Sequence, residues 1–264
     1  FPINLFQGLV RDGIMLLPLV VLAIVIGSNL GFDTRATTPV IRIIDALSRI
    51  FFHINSFVVE IFWLAVIVIF AATLTTISAA ELTLYRELIL VVTIDIVVLY
   101  LGIFPGLLYL LGERVNPFRW LYACLGPALI GAISADSYVS FGSLLAHGRG
   151  SFGLPRMVTS AVYPMFTLFG RAGTALITGI VFLVTLRSFS SFELSVDQIL
   201  LTALLTFLAS FLVGITPGLG IMAMLSLMWQ FSEHGVQDGY LIVQPIIPIL
   251  SSAAVLLDVT TAAL

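Results

Sequence analysis

Two long apolar stretches in the second half of this chain are each broken in the middle. The first breaks at Ser134-Ala135-Asp136-Ser137, the second at Gly214-Ile215-Thr216-Pro217-Gly218-Leu219-Gly220. Several of the flanking arms are short for a bilayer core, which takes ~20 apolar helical residues to cross. Non-helical backbone at membrane depth survives only where it is buried in protein or lines a cavity. Paired interruptions of this kind point to a solute site built inside a membrane transporter.

Composition agrees with a membrane setting. Hydrophobic residues make up 60% of the 264 and charged residues 9%. A water-soluble domain carries ~25% charged residues, so this chain could not cover its surface in water. The single cysteine, Cys124, excludes a disulfide within the chain. Nothing resembles a cleavable signal peptide, because the first apolar run leads into more of the same. The chain opens with Phe1 rather than Met and enters an apolar helix almost at once, so an N-terminally incomplete chain is expected.

Apolar helices are expected over Ile14–Leu30, Phe51–Leu74 and Leu88–Leu111. A loop and amphipathic stretch with Arg35, Arg42 and Arg49 lies between the first two. Trp120–Ile133 and Tyr138–Ala146 are the arms of the first broken segment, and a Gly- and Arg-rich loop follows over Gly148–Arg156. Met157–Leu186 is cut at Gly170-Arg171-Ala172-Gly173. Val196–Val213 and Ile221–Phe231 are the arms of the second, and Tyr240–Leu264 is the last helix. The fold class is all-α and polytopic, with transmembrane helices and two re-entrant helical hairpins at about 118–148 and 196–232.

Arginine placement separates re-entrant hairpins from full spans. All eleven basic residues are arginines. With both broken segments returning to their own side, Arg35, Arg42, Arg49, Arg114, Arg119, Arg149 and Arg156 share one face. Arg11, Arg86 and Arg187 fall on the other, and Arg171 lies inside the membrane. That asymmetry follows the positive-inside rule, with the larger group cytoplasmic. A first hairpin that spanned fully would erase it.

Three places carry a resemblance to a known family. Ser195-Val196-Asp197-Gln198, Leu201-Thr202 and Leu208-Ala209-Ser210, ending in Thr216-Pro217-Gly218-Leu219-Gly220, resemble the family's second hairpin and its Val-Pro-Gly-Ala-Gly tip. Gly173-Thr174-Ala175-Leu176 matches the end of an Asn-Met-Asp-Gly-Thr-Ala-Leu motif in a partly unwound helix. Pro127-Ala128 with Ser134 and Ser137 looks like a first hairpin whose tip is a serine triplet. The family is the dicarboxylate/amino-acid:cation symporters, the glutamate transporter homologues. The likeness runs in order over nearly the whole chain, without the family's first few helices. It implies a homotrimer in a bacterial-type inner membrane, with residues 1–80 as scaffold and 81–264 as a moving transport unit. It also implies elevator-like alternating access with sodium or a proton as coupling ion. No nucleic-acid partner and no resident cofactor or metal is expected, since no Cys/His cluster with ligand spacing is present.

The chain departs from the family where the chemistry is done. Asn-Met-Asp is replaced by Gly170-Arg171-Ala172. In the last helix, the family's substrate-clamping aspartate and arginine become Ser251 and Ala254, its Asn-Val-Thr becomes Asp258-Val259-Thr260, and its final cation-binding carboxylate becomes Ala262. The serine triplet becomes Asp136-Ser137-Tyr138. The expected polar lining is Ser137, Arg171, Thr174, Thr216, Gly218, Ser251 and Asp258. Asp136, Arg171 and Asp258 form either an internal ion pair or an ion-coupling group. An intramembrane charge costs ~2.5–3.5 kcal/mol on insertion scales, which marks these positions as functional candidates. Three readings of Arg171 and its acids stay open: a structural pair standing in for a lost sodium, a seat for an anionic solute, or a titrating carboxylate. Glu60 and Asp95 are either helix-packing polar groups or parts of a proton path.

A small, anionic solute moved by symport is the function these observations favour. A non-transporting structural or sensor relative is the first rival. An intramembrane enzyme is the second, without any nucleophile–base pairing to support it. The topology makes a direct prediction: a cysteine placed at Gly148, on the same face as Arg114, is protected from an impermeant reagent applied outside intact cells. External labelling there would overturn the re-entrant arrangement.

Overall fold

The computed structural model describes residues 17–30, 34–76, 83, 85–112, 116–189, 195–213, 220–231 and 239–264. Helices account for nearly all of them, and no strand occurs among the described residues. The chain divides into two compact units, Phe1–Phe62 and Trp63–Leu264.

In the first unit, α1 (Leu17–Asn29) and the leading part of α2 (Thr34–Thr76) expose most of their large apolar side chains, among them Ile24, Ile43, Phe51 and Phe57. Such surface suits lipid or protein contact. Sequence reading separated an amphipathic stretch from a span at Phe51–Leu74, whereas α2 runs unbroken through 43 residues, about 65 Å at ~1.5 Å per residue. The reason is local. Past Pro39 no glycine or proline interrupts the run, and Asp45 pairs with Arg49 one turn on at 3.1 Å.

The second unit opens with α3 (Arg86–Val98), which continues through a π-helical turn (Leu99–Ile103) into α4 (Phe104–Leu111). Pro105 lacks the N–H that an α-helical ladder would use, and the widened turn before it absorbs the mismatch. Arg86–Leu111, Val158–Ser188 and Gln244–Ala263 are long and apolar enough to cross a membrane. The last helix differs from its expected span. Pro245 and Pro248 break the Tyr240–Leu264 run into a short turn (α11, Gly239–Ile242), a 3-10 segment (Gln244–Ile246) and α12 (Ile247–Ala263).

Between α4 and α12 lie two pairs of shorter helices and the interrupted one. α5 (Pro117–Ser134) ends on Ala135 in the left-handed region at φ 52°, and α6 (Ser137–Gly150) folds back against it. The loop expected over Gly148–Arg156 shrinks, because α6 continues to Gly150. α7 (Arg156–Phe169) and α8 (Ala172–Phe189) flank the break at Gly170 and Arg171. α9 (Val196–Val213) and α10 (Gly220–Phe231) pack on each other, while the tip between them, with Thr216 and Gly218, lies outside the described residues.

α12 is the post around which the second unit packs. Leu250, Ala254 and Leu257 join an apolar cluster with Ile177 and Val181 of α8 and Met224, Leu225 and Met228 of α10. Val255, Val259, Ala262 and Ala263 join a second cluster with Cys124 and Ala128 of α5, Leu144 of α6 and Tyr163 of α7. Small residues let these helices approach closely, the usual route to van der Waals packing where lipid removes the hydrophobic drive between helices. At Gly131 an added Cβ would sit 2.9 Å from Val259 and 3.0 Å from Val255.

Gly148 is buried, and an added Cβ would lie 2.4 Å from the Tyr163 ring. The topology reporter therefore belongs at Gly150, which is exposed and has open space around it. The packing at Gly131 generates a second test. Gly131→Val should destabilise the purified protein by about 1–3 kcal/mol through overpacking. Gly106→Ala, with no atom within 4 Å of the added methyl, should be tolerated. Thermal unfolding in detergent compares the two, and equal melting temperatures would contradict the close α5–α12 approach.

Candidate functional site

The interrupted helix organises the site. α7 ends when the Gly170 N–H closes on Phe166 O at 2.7 Å, and Gly170 then leaves helical geometry at φ −83°, ψ 61°. Arg171 stands ahead of α8, its carbonyl accepting from the Ala175 N–H at 2.9 Å. The amides in the first turn of α8 have no partners within their own helix. Asp258, from the middle of α12, supplies one. The Thr174 N–H donates to Asp258 Oδ1 at 3.0 Å, and the Thr174 hydroxyl donates to Oδ2 at 2.5 Å. A carboxylate at a helix N-terminus is also favoured by the helix dipole.

Gly173 makes this docking possible. A Cβ there would lie 2.4 Å from Ala254 O and 2.8 Å from the Asp258 nitrogen, so only a glycine lets the start of α8 meet α12.

Arg171 completes the centre. It is 5% exposed, Asp258 is 2% exposed, and Arg171 Nη1 lies 3.7 Å from Asp258 Oδ2. The guanidinium carbon sits 5.3 Å from the centroid of the Tyr138 ring on α6, a cation–π distance. Arg171 Nε and Nη2 have no hydrogen-bond partner among the described residues. Those two groups form one edge of the guanidinium, and that edge can grip a carboxylate with two parallel hydrogen bonds. Asp258 already meets Thr174 and Arg171, so a hard cation seated on it would have to compete with the guanidinium. Among the described residues no cluster of three His, Cys, Asp or Glu side chains could hold a metal.

Two cavities touch Arg171. A small one of about 20 Å³ lies among Ala135, Thr174, Gly220, Ile221, Ser251 and Ala254, room for about one water. It gathers the first hairpin's turn, the helix break, the start of α10 and α12. The other, of about 540 Å³, opens between α7, α8 and α9.

Of the residues singled out from sequence, Arg171, Thr174 and Asp258 come into direct contact, and Ser251 shares the small cavity with Arg171 and Thr174. Ser137 is buried, its hydroxyl without a partner among the described residues. Asp136, considered as an ion-pair partner, instead caps α6 by accepting from the Tyr138 N–H at 2.9 Å. A short polar side chain just before a helix does this readily. Thr216 and Gly218 lie outside the described residues. Glu60, in α2, is exposed, and Asp95, in α3, is partly buried. Sequence reading missed Tyr138 as a shelf for Arg171. It also missed the large cavity, whose signal was the aromatic spacing of Phe166 with Phe169 and of Phe207 with Phe211.

The pairing sets a measurable expectation. Arg171→Ala strands the Asp258 carboxylate and should cost about 3–5 kcal/mol. Combining it with Asp258→Asn should recover part of that loss, because the amide oxygen still accepts from Thr174 and no buried charge is left unpaired. A double-mutant cycle on unfolding in detergent measures the coupling, and strict additivity would disprove it.

Comparison with curated proteins returns no significant match. The sodium:dicarboxylate symporter family matches over residues 1–264. Its members are transporters, and the helical fold with long and short apolar helices is consistent with that assignment. The chain is an integral membrane protein that belongs to the sodium:dicarboxylate symporter family.

Proposed function

We propose that this chain is a secondary active transporter carrying a small anionic solute together with a cation, by elevator-like alternating access. The observation that carries the reading is the buried Arg171 guanidinium with an unpartnered Nε–Nη2 edge. A solute carboxylate matches that edge in chemistry, and in this reading Ser137, Thr174, Thr216, Gly218 and Ser251 complete the polar lining. Charge balance supports the cation. The Arg171–Asp258 pair is neutral, so an added anion leaves one net negative charge in a low-dielectric site. A co-bound sodium ion or a proton offsets it.

In this reading residues 81–264 move as the transport unit against a scaffold of residues 1–80, within a homotrimer in a bacterial-type inner membrane. The breaks at 134–137 and 214–220 are the tips of two re-entrant hairpins. The solute lacks an amino group: Ala254 offers no second guanidinium, and Ser251 offers a hydroxyl where an ammonium would need a carboxylate.

Uptake by the full-length protein in proteoliposomes tests this. An amino-free carboxylate should accumulate under an inward sodium or proton gradient, and Arg171→Gln should lower its uptake at least about tenfold, the loss of charged hydrogen bonds. Sodium-driven accumulation of aspartate or glutamate, abolished by substituting Thr174, would overturn the reading. No uptake of any carboxylate would favour a non-transporting relative.

A further inference from the structure

Asp258 attracts Arg171 without orienting it. Both carboxylate oxygens are engaged by Thr174, Oδ1 by its N–H at 3.0 Å and Oδ2 by its hydroxyl at 2.5 Å. What remains for the guanidinium is one long contact, Nη1 to Oδ2 at 3.7 Å, beyond hydrogen-bond length. Two parallel hydrogen bonds would fix the plane of a guanidinium, whereas one such contact lets it turn. That plane is met instead by the Tyr138 ring, whose centroid lies 5.3 Å from the guanidinium carbon.

Tyr138 stands in the first turn of α6, directly after a turn that is bonded to itself. The Ala135 N–H donates to Ala132 O at 3.2 Å and the Asp136 N–H to Gly131 O at 3.3 Å. The Ser134 hydroxyl donates to Asp136 O at 3.2 Å, and the Asp136 carboxylate accepts from the Tyr138 N–H at 2.9 Å. A side chain carried on such a cross-linked turn is held in place by its surroundings.

We infer that Tyr138 is the positioning residue of the anion seat: its ring sets the plane of the Arg171 guanidinium, and the Asp136 cap sets the place of the ring. This rests on the reading of Arg171 as the residue that holds the anion. The direction in which Arg171 can meet a carboxylate is then decided by the first hairpin's turn as well as by Asp258. Nε and Nη2 are themselves buried, so a solute reaches them only when a covering group withdraws. The bonded turn suits Tyr138 to stay behind with the guanidinium. Asp136 serves the site in this way through a backbone N–H rather than through its charge.

The full chain in nanodiscs carries the test, with acetate and succinate as probes and isotope-labelled arginine side chains read by NMR. The Arg171 Nε signal is identified by its loss in Arg171→Gln. Tyr138→Leu, or Tyr138→Met should the former not fold, should move that signal and weaken both anions about tenfold, the size of a desolvated cation–π contact. Tyr138→Phe keeps the ring, so it should leave the signal in place and bind within about twofold of the parent. Asp136→Asn still accepts from the Tyr138 N–H and should match the parent. Asp136→Ala should weaken both anions and add nothing on top of Tyr138→Leu. A signal and affinities unmoved by Tyr138→Leu, or a loss in Tyr138→Phe as large as in Tyr138→Leu, would overturn the ring's role and leave Arg171 as the anion seat. Asp136→Asn failing as Asp136→Ala does would make Asp136 a charge partner and overturn the relay through its cap. Probes that do not bind the parent, or that bind Arg171→Gln equally well, would remove Arg171 as the seat and the inference with it.

Discussion

The carboxylate of Asp258 is the point on which the second unit turns. It sits in the middle of the most buried helix, yet its partners belong to the start of another helix and to the break before it. One side chain thus caps the start of α8, ties α8 to α12 and holds Arg171 inside the protein. A buried carboxylate without those donors would be too costly to keep. A buried guanidinium without the carboxylate would be equally so. Each of the three groups explains why the other two are tolerated in the buried interior.

That arrangement places a fixed positive charge at a helix break in the middle of an apolar segment long enough to cross a membrane. In a family of sodium-coupled symporters the obvious expectation is hard oxygen ligands at such a break. Here the covalently attached cation changes the electrostatic starting point, because the Arg171–Asp258 pair is already neutral. In the proposed reading an incoming anion then brings its own demand for a counter-charge, so cation coupling is set by the solute rather than by protein carboxylates. The fold is shared with the family, while the chemistry of the site has to be argued from these residues.

Much of the architecture was legible from periodicity and punctuation. The breaks at Ser134–Ser137 and Gly170–Arg171 were visible because polar and glycine residues interrupt apolar runs, and both occur where expected. Prolines acted according to their position. Pro39 did not stop α2, since it lies near the start of a long uninterrupted helix, whereas Pro245 and Pro248 split the last segment. Asp136 looked like a charge available for pairing. Its place directly before α6 made a cap the better local use, and only backbone geometry decided between them.

By itself the sequence determined that the chain lives in a membrane, that it is helical, and that two apolar segments are interrupted. Those properties follow from composition and from one-dimensional spacing, which local physics reads directly. The family resemblance added the expectation that Arg171 and Asp258 stand where the family carries other residues. Only the tertiary structure decided that these two, 87 positions apart in the numbering of Arg171 and Asp258, share Thr174 as a neighbour while Asp136 does not join them. Tertiary packing likewise enclosed the guanidinium and left one edge of it without a hydrogen-bond partner among the described residues. Contacts between distant segments depend on how close the helices can come. Here that distance is set by residues such as Gly131 and Gly173, whose role is invisible until the facing helix is in place.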